Sequence, residues 1–411
     1  MSAEKPSTFR RIARALVHRA LQVGLAIVVV GPLLIACLVA RCITKRRIGL
    51  GPEPLINNVH HARALRLQGY DVTTFVSHVY FVTNEFDLRL LRWSPFNHYA
   101  LFLFAIFRCR ILYIYFNGGP LAWTGLWAIE PYLYKLAGTR VVAMPYGGDV
   151  QDFNVHDDVV YRAAYLKDYP DFVRNRMRSR RKQVQRWSRH ADWIISGCDW
   201  VNYTPYWDTL MLAHFSVDTD QWSVPPPEEY TRPARFTAER PLRVLHGPNH
   251  RTIKGTTLLE KAIATLRAEG CPIELQIVQR VSNTEMRRLV RQVDVVVEQL
   301  VIGWYGIFAL EAMASGKPVL THIGPELERL YIHHGLLEND ELPVTRVTHQ
   351  NLVEALRAVA ANRTDLEAQS RAARAFVLKH HSLAAIGRRF ADINTTLGVP
   401  PVSRAGGEIA R

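Results

Sequence analysis

Ile302-Gly-Trp-Tyr-Gly-Ile-Phe-Ala-Leu-Glu-Ala-Met-Ala-Ser-Gly-Lys-Pro-Val319 decides the fold. An apolar run, Asp294 to Val297, comes before it and predicts a strand, and a glycine-bearing loop follows that strand. Ile307 to Ala314 then reads as a helix, stopped by Gly316 and Pro318, and Val319 to His322 opens the next strand. Strand, loop, helix and strand in this order make a βαβ unit, the element of a parallel sheet covered by helices.

Outward from that unit the alternation continues. Towards the C-terminus, Asn351 to Ala360 and Asp365 to Leu397 read as helices, with the last fourteen residues read as disordered. Towards the N-terminus the predicted order is strand Leu242–Leu245, helix Thr257–Ala268, strand Ile273–Val278 and helix Thr284–Gln292. Pro225 to Pro241 is polar and proline-bearing, and reads as a linker. Before it the same alternation runs from Arg47: strands at Arg47–Gly51, Val72–Val76, Ile111–Phe116, Val141–Met144 and Ala191–Ser196, with helices at Asn57–Leu67 and Trp123–Leu136. Tyr99 to Phe107 reads as a core helix. Two such α/β halves, each Rossmann-like, imply a ligand cleft at the carboxyl ends of their strands.

Three loops carry the candidate chemistry. A helix starting near Gly306 presents free N–H groups and a positive dipole end, an anion site suited to a diphosphate. Glu311 would repel phosphate, so its natural partner is a hydroxyl pair of a sugar or ribose. Leu245 to Gly255 carries Arg251 and Lys254, whose cations would neutralise a leaving diphosphate. In the first half, Gly49 and Gly51 would let backbone approach a ligand, Asn57 is a helix cap or a cleft residue, and Asp149 either caps its turn or meets an acceptor hydroxyl. Asp218-Thr219-Asp220 imitates a metal-binding pair, but a carboxylate pair beside a linker is more often a turn, and no metal is assigned.

Charge and cysteines bound the setting. The net charge is +14, and nine cations against Glu4 give the first 50 residues 9 − 1 = +8 of it. An anionic membrane surface fits this asymmetry better than nucleic acid, which is not the expected partner because no aromatic–basic repeat or reader motif follows. Arg174 to Arg189 adds eight cations without an acidic residue, a solvated helix face or a contact for anionic lipid. Five scattered cysteines support neither disulfides nor a zinc site. Ala20 to Ala40 is a 21-residue run without charge, long enough for a transmembrane helix. A single-pass anchor with its domains in the cytoplasm is the expectation, over a cleaved signal peptide or a re-entrant hairpin kinked at Gly31-Pro32.

Across residues 46–397 the chain resembles the retaining GT-B glycosyltransferases of the group 1, or family 4, type. The likeness rests on Gly306-x4-Glu311-Ala-Met-Ala-x-Gly-x-Pro-Val319, Arg251-x-x-Lys254-Gly255, Phe215-Ser-Val-Asp218-x-x-x-Trp222, His381-Ser382 and Tyr146-Gly-Gly-Asp149. It implies two Rossmann-like domains facing a cleft: residues 46–224 for the acceptor, 225–241 as linker, 242–378 for the nucleotide sugar, and 379–397 crossing back. The basic N-terminus and membrane anchor, residues 1–45, and the tail, residues 398–411, lie outside it. The implied activity is transfer of a sugar from a nucleotide diphosphate, with retention, to a lipid-linked or glycan acceptor, with no metal and no cofactor beyond that donor.

On this resemblance Arg251, Lys254, Gly306, Ile307 and Glu311 hold the donor, and Asp149, Tyr146, Asn57, Gly49 and Gly51 face the acceptor. Two positions depart from the family. Gly303 stands where the first glutamate of its Glu-x7-Glu pair belongs, with Glu298 the nearest candidate substitute, and Tyr146 stands where many members have histidine. Gly303 supports the alternative of a non-catalytic GT-B-like subunit in membrane polysaccharide assembly. A sugar-nucleotide epimerase is the third reading, disfavoured because a soluble substrate needs no anchor.

Overall fold

The computed structural model describes residues 8–80, 83–91, 94, 96–156, 158–361 and 365–402, with residues 8–23 as backbone only. The first half runs α1 (Thr8–Arg41), β1 (Arg47–Leu50), α2 (Ile56–Leu67), β2 (Val72–Val76), β3 (Leu88–Arg89), α3 (Asn97–Arg108) and β4 (Cys109–Tyr115). It continues with α4 (Glu130–Ala137), β5 (Arg140–Met144), α5 (Val159–Asp168), α6 (Pro170–Asn175), α7 (Met177–His190), β6 (Trp193–Gly197) and β7 (Thr209–Met211). Its strands pair in parallel in the order β3-β2-β1-β4-β5-β6-β7. Buried on both faces, β4 reads Cys-Arg-Ile-Leu-Tyr-Ile-Tyr, a nearly continuous apolar run, as a central parallel strand should.

The second half runs β8 (Leu242–His246), α8 (Thr256–Ala268), β9 (Ile273–Ile277), α9 (Asn283–Arg291), β10 (Val295–Val297), α10 (Ile307–Ala314) and β11 (Val319–Thr321). After them come α11 (Pro325–His333), β12 (Thr345–Arg346), α12 (Leu352–Ala360), α13 (Leu366–His380) and α14 (Leu383–Thr396). The sheet order is β12-β11-β10-β8-β9, all parallel. Each sheet therefore has one place where the winding reverses: between β1 and β4 in the first, between β8 and β10 in the second. Loops leaving the strands on either side of such a point diverge and leave a crevice.

Several elements differ from expectation for local reasons. The predicted helix Trp123–Leu136 is only α4, because the buried Glu130 carboxylate accepts from Gly119 N (3.2 Å) and Leu121 N (2.9 Å) and holds the preceding loop. The predicted helix Asp365–Leu397 breaks at His381-Ser382, where the Ser382 hydroxyl caps α14 by accepting from Ala385 N. Part of the predicted disordered tail is ordered: Val399 is buried and Val402 N donates to Gly69 O at 3.0 Å. Residues 403–411 of that tail, and residues 1–7 of the basic N-terminus, lie outside the described residues. The proline-bearing stretch 225–241 forms no helix or strand, and it is pinned to the second half by Tyr230 and Arg240, both bonded to Asp294.

α14 crosses back and packs on α2 of the first half. The approach is close because Gly387 faces it, and a Cβ there would lie 2.6 Å from Ala64 O. Gly387→Ala is expected to destabilise the protein by about 1–3 kcal/mol, since backbone on both sides must move apart. Urea unfolding tests this, and an unchanged midpoint would contradict the packing. At the other end, α1 is the one helix among the described residues long and apolar enough to cross a membrane.

Candidate active site

The reversal point of the second sheet brings together the loops after β8 and β10. His246 ends β8 and ties both sides: its Nδ1–H donates to Val297 O (2.8 Å), and its Nε2 accepts from the Thr256 hydroxyl (3.0 Å). Burial lowers its pKa to about 4, so the ring stays neutral. Gly255 makes the turn into α8 with φ +76°, and a Cβ there would strike Leu300 at 2.6 Å. The turn points Lys254 across the crevice. Its Nζ donates to Glu298 Oε1 (2.5 Å) and Gln299 Oε1 (2.7 Å) at the end of β10. Gly306 N, at the start of α10, donates to Glu298 Oε2 at 3.3 Å. A lysine ammonium, a helix N-terminus and an almost fully buried carboxylate thus share one spot. That spot has the electrostatics of an anion site, with Glu298 as its present anion.

Arg251 is not part of this cluster. Its guanidinium turns along α8 to Glu260 (2.5 Å) and is about half exposed. Gly303 likewise cannot stand in for an acidic residue. Its carbonyl accepts from Gly324 N at 2.7 Å, and a Cβ would lie 3.3 Å from that same nitrogen.

Beyond Ile307, which opens α10, Glu311 lies a turn further along and is buried. Its Oε1 accepts from Asn283 Nδ2 at 3.0 Å, a partner that sequence reading did not identify. Asn283 also lines a cavity of about 420 Å³ between the halves, with Ile56, Val59, His60 and Tyr80 opposite. Burial raises the Glu311 carboxyl to about 8. A carboxyl raised on folding binds its proton in the folded chain and releases it in the unfolded one through the window from about 4.5 to 8. The stability it contributes is therefore complete below that window and lost as pH rises through it. Against Glu311→Gln, which does not titrate, the wild type should lose stability as pH rises from 5.5 to 8, by at most about 1.4 kcal/mol per pH unit. Paired thermal melts measure this, and a constant difference between the two proteins would contradict it.

On the first-half side, the Asp149 carboxylate is 1% exposed and accepts from Phe116 N (2.9 Å), Tyr146 N (2.8 Å) and Gly147 N (3.1 Å). It caps its turn, and burial lifts its pKa to about 7. Gly49 and Gly51 serve packing: a Cβ would meet Cys109 Sγ at 2.8 Å from the first and Phe75 O at 2.2 Å from the second. Asn57 is buried in α2. Tyr146 does reach the strand ends, where Asn117 Nδ2 donates to its hydroxyl (2.9 Å) and to Glu53 Oε1 (2.7 Å), beside the reversal point between β1 and β4. Asp218 accepts from Asp220 N and Gln221 N, both at 3.3 Å, as a turn residue. Among the described residues, no three His, Cys, Asp or Glu side chains gather as a metal site requires.

Sequence reading missed α5 and α6, which close over the basic loop. Ile253 N donates to Asp168 Oδ2 (2.8 Å), the Tyr169 and His250 rings lie 4.6 Å apart, and Ile253 packs with Tyr161, Tyr165 and Val301. The signal was present: tyrosines at 161, 165 and 169 share one helix face, with Asp158 as N-cap. Asp199, after β6, was missed as well. It is buried, with its pKa raised to about 6 by burial and tempered by the Gln151 hydrogen bond and the positive charge of Lys254. Of the basic run, Arg181 pairs with Asp152, Arg180 lies over Phe172 (4.0 Å) and Arg186 over Trp127 (4.3 Å).

Two parallel α/β sheets with crevices at their carboxyl ends define a class, and comparison with known structures bears it out. Sucrose-phosphate synthase from Thermosynechococcus elongatus superposes with TM-score 0.56 at 14% identity, over 86% of this chain and 99% of that one. Alr3699/HepE from Anabaena, in complex with UDP and glucose, gives 0.53 at 12% identity over 85% and 99%. The chain has the GT-B fold. Residues 249–392, which carry Lys254, Glu298, Gly306 and Glu311, match the family model described as Glycosyl transferase-like. No curated protein matches the chain in sequence.

Proposed function

We propose that the protein is a glycosyltransferase that moves a sugar from a nucleotide diphosphate, with retention, to a lipid-linked or polysaccharide acceptor at the cytoplasmic face of a membrane. The observation that carries this reading is the meeting of Lys254 Nζ and Gly306 N–H on one carboxylate at the reversal point of the second sheet. A diphosphate displacing or flanking Glu298 would find a full cation and a helix N-terminus there. Glu311, further along α10, would take the ribose diol, and its partner Asn283 lines the cavity between the halves. When the bond from the anomeric carbon breaks, its electron pair stays with the diphosphate, whose growing charge Lys254 is placed to offset. Arg251 would join only by leaving Glu260, an exposed pair of small net strength. Tyr146, Asn117 and Glu53 offer polar groups on the acceptor side. Glu298 is our candidate for the acidic role that Gly303 cannot fill.

Gly303 and the occupied anion site also favour a second reading, a non-catalytic GT-B-like subunit. Release of nucleoside diphosphate from a panel of nucleotide sugars, with the full chain and membrane lipid extract, separates the two. Turnover with one donor is the expected result, and none with any donor would leave the second reading.

A further inference from the structure

The proposed reaction makes no use of α1, yet its packing is specific. From Gly24 to Arg41 the helix has a mean hydropathy of 2.3. Ala26, Leu33, Cys37 and Ala40 are nonetheless buried in the same core as residues of α3 and α4. Their spacing of seven, four and three puts them on one stripe, and that stripe packs on α4 and α3. Just past the helix, Lys45 is buried and clamps the junction, its Nζ donating to Ile106 O (2.7 Å) near the end of α3, to Ala137 O (2.8 Å) at the end of α4, and to Thr139 Oγ1 (3.1 Å). Two helix C-termini, each with negative dipole ends, hold one cation.

This packing conflicts with a simple crossing. Between Ala26 and Ala40 the helix advances about 21 Å with one side against the protein. Leu25 packs on that core as well, and the part of the uncharged run before it, Ala20 to Gly24, spans only about 8 Å, whereas a hydrocarbon core is about 30 Å thick. A crossing would draw the flank of the first half, with the exposed Lys135 and Tyr132 of α4, into lipid. The opposite face of α1 cannot rest in water either. Ile27 and Val28 are each 70% exposed, Ile35 65%, Leu38 53%, Val39 51% and Leu34 41%, with no polar residue among them.

We infer that α1 lies along a bilayer surface without crossing it, its outer ridge in the acyl region and its inner stripe on the first half, so that the N-terminus and both halves share one side. Cations flank the ridge in sequence, Arg10 to Arg19 before it and the exposed Arg41 and Arg46 after it, and these select anionic lipid. Near α4, Trp123 (63% exposed) and Tyr132 (55%) are aromatics of the kind that settle at the headgroup level. The inference does not depend on sugar transfer.

The test adds the full chain, with an epitope before Met1, to preformed vesicles of phosphatidylglycerol and phosphatidylcholine, followed by flotation and proteinase K. We expect flotation that needs phosphatidylglycerol, and digestion of epitope and domains together. The double variant Ile35→Glu/Leu38→Glu should float about tenfold less or worse while melting as the wild type does. A protected fragment bearing the epitope would overturn the inference in favour of a span. So would undiminished flotation of the double variant, or wild-type protein that fails to float and self-associates through this ridge instead.

Discussion

Replacing Lys254 with alanine is expected to lower sugar transfer by about 10²–10³-fold, the loss typical when one donor to a developing charge is removed. The same change should also lower stability. Lys254 Nζ is 2.5 Å from Glu298 Oε1, and the Glu298 side chain is only 2% exposed. Without its partner that carboxylate keeps one N–H contact, from Gly306, and stripping the partner from a buried charge costs about 3–5 kcal/mol. The two effects are separable. Lys254→Ala combined with Glu298→Gln removes the stranded charge, so the double variant should regain most of the lost melting temperature and none of the transfer. Initial rates of nucleoside diphosphate release, read beside thermal melts, decide the matter. A Lys254→Ala protein that keeps more than about a tenth of wild-type transfer would remove Lys254 from the site.

The second large effect is expected at Trp304. The side chain is fully buried, its ring 4.6 Å from that of Tyr331 and 5.1 Å from that of Tyr305, and its Nε1–H donates to Leu212 O of the first half at 2.9 Å. Gln299 Nε2 donates to its backbone carbonyl. Trp304 thus sets the loop from β10 to Gly306 and joins that loop to the other half. Trp304→Ala should destabilise by about 3–5 kcal/mol through the cavity left behind, while the carbonyl of Leu212 keeps only its second donor, Cys198 N at 3.0 Å. Transfer should fall with it, because Gly306 N is positioned by this loop, while Trp304→Phe should retain a larger share of both. Denaturant unfolding and initial rates measure the pair. A stable Trp304→Ala protein with normal turnover would show that the loop is held by something else.

How far the molecule could be read from its sequence depended on whether the relevant signal was local. The bounds of α10, Ile307 to Ala314, were legible because Gly306 before it and Gly316 and Pro318 after it punctuate the chain. The two Rossmann-like halves followed from repeated strand–helix alternation, whose parallel pairing both sheets display, and GT-B from the resemblance of the loop motifs. What escaped was set by distant partners. Lys254 and Glu298 are 44 residues apart and meet only because β8 and β10 are neighbours in the sheet. Conversely, Arg251 and Lys254 look equivalent in sequence, yet one turn of α8 offers Glu260 to the first and not to the second. Gly49 and Gly51 looked like ligand contacts, whereas side-chain and backbone atoms of neighbouring strands occupy the space a Cβ would need. The Asp149 turn was legible as either of two things, and its three backbone donors assign it to capping. The 21 uncharged residues of the N-terminal run spoke for a span, whereas the packing of Ala26, Leu33, Cys37 and Ala40 on the first half depends on partners that the local sequence does not show.

The central claim is that Lys254 and the N-terminus of α10 form a diphosphate site now held by Glu298. Calorimetric titration of UDP into the full-length wild type, Lys254→Met and Glu298→Gln proteins tests it most directly. The claim predicts measurable binding by the wild type, weakening by about tenfold or more in Lys254→Met, and binding at least as tight in Glu298→Gln, which no longer competes for the site. Equal affinity of the wild type and Lys254→Met for UDP would contradict it.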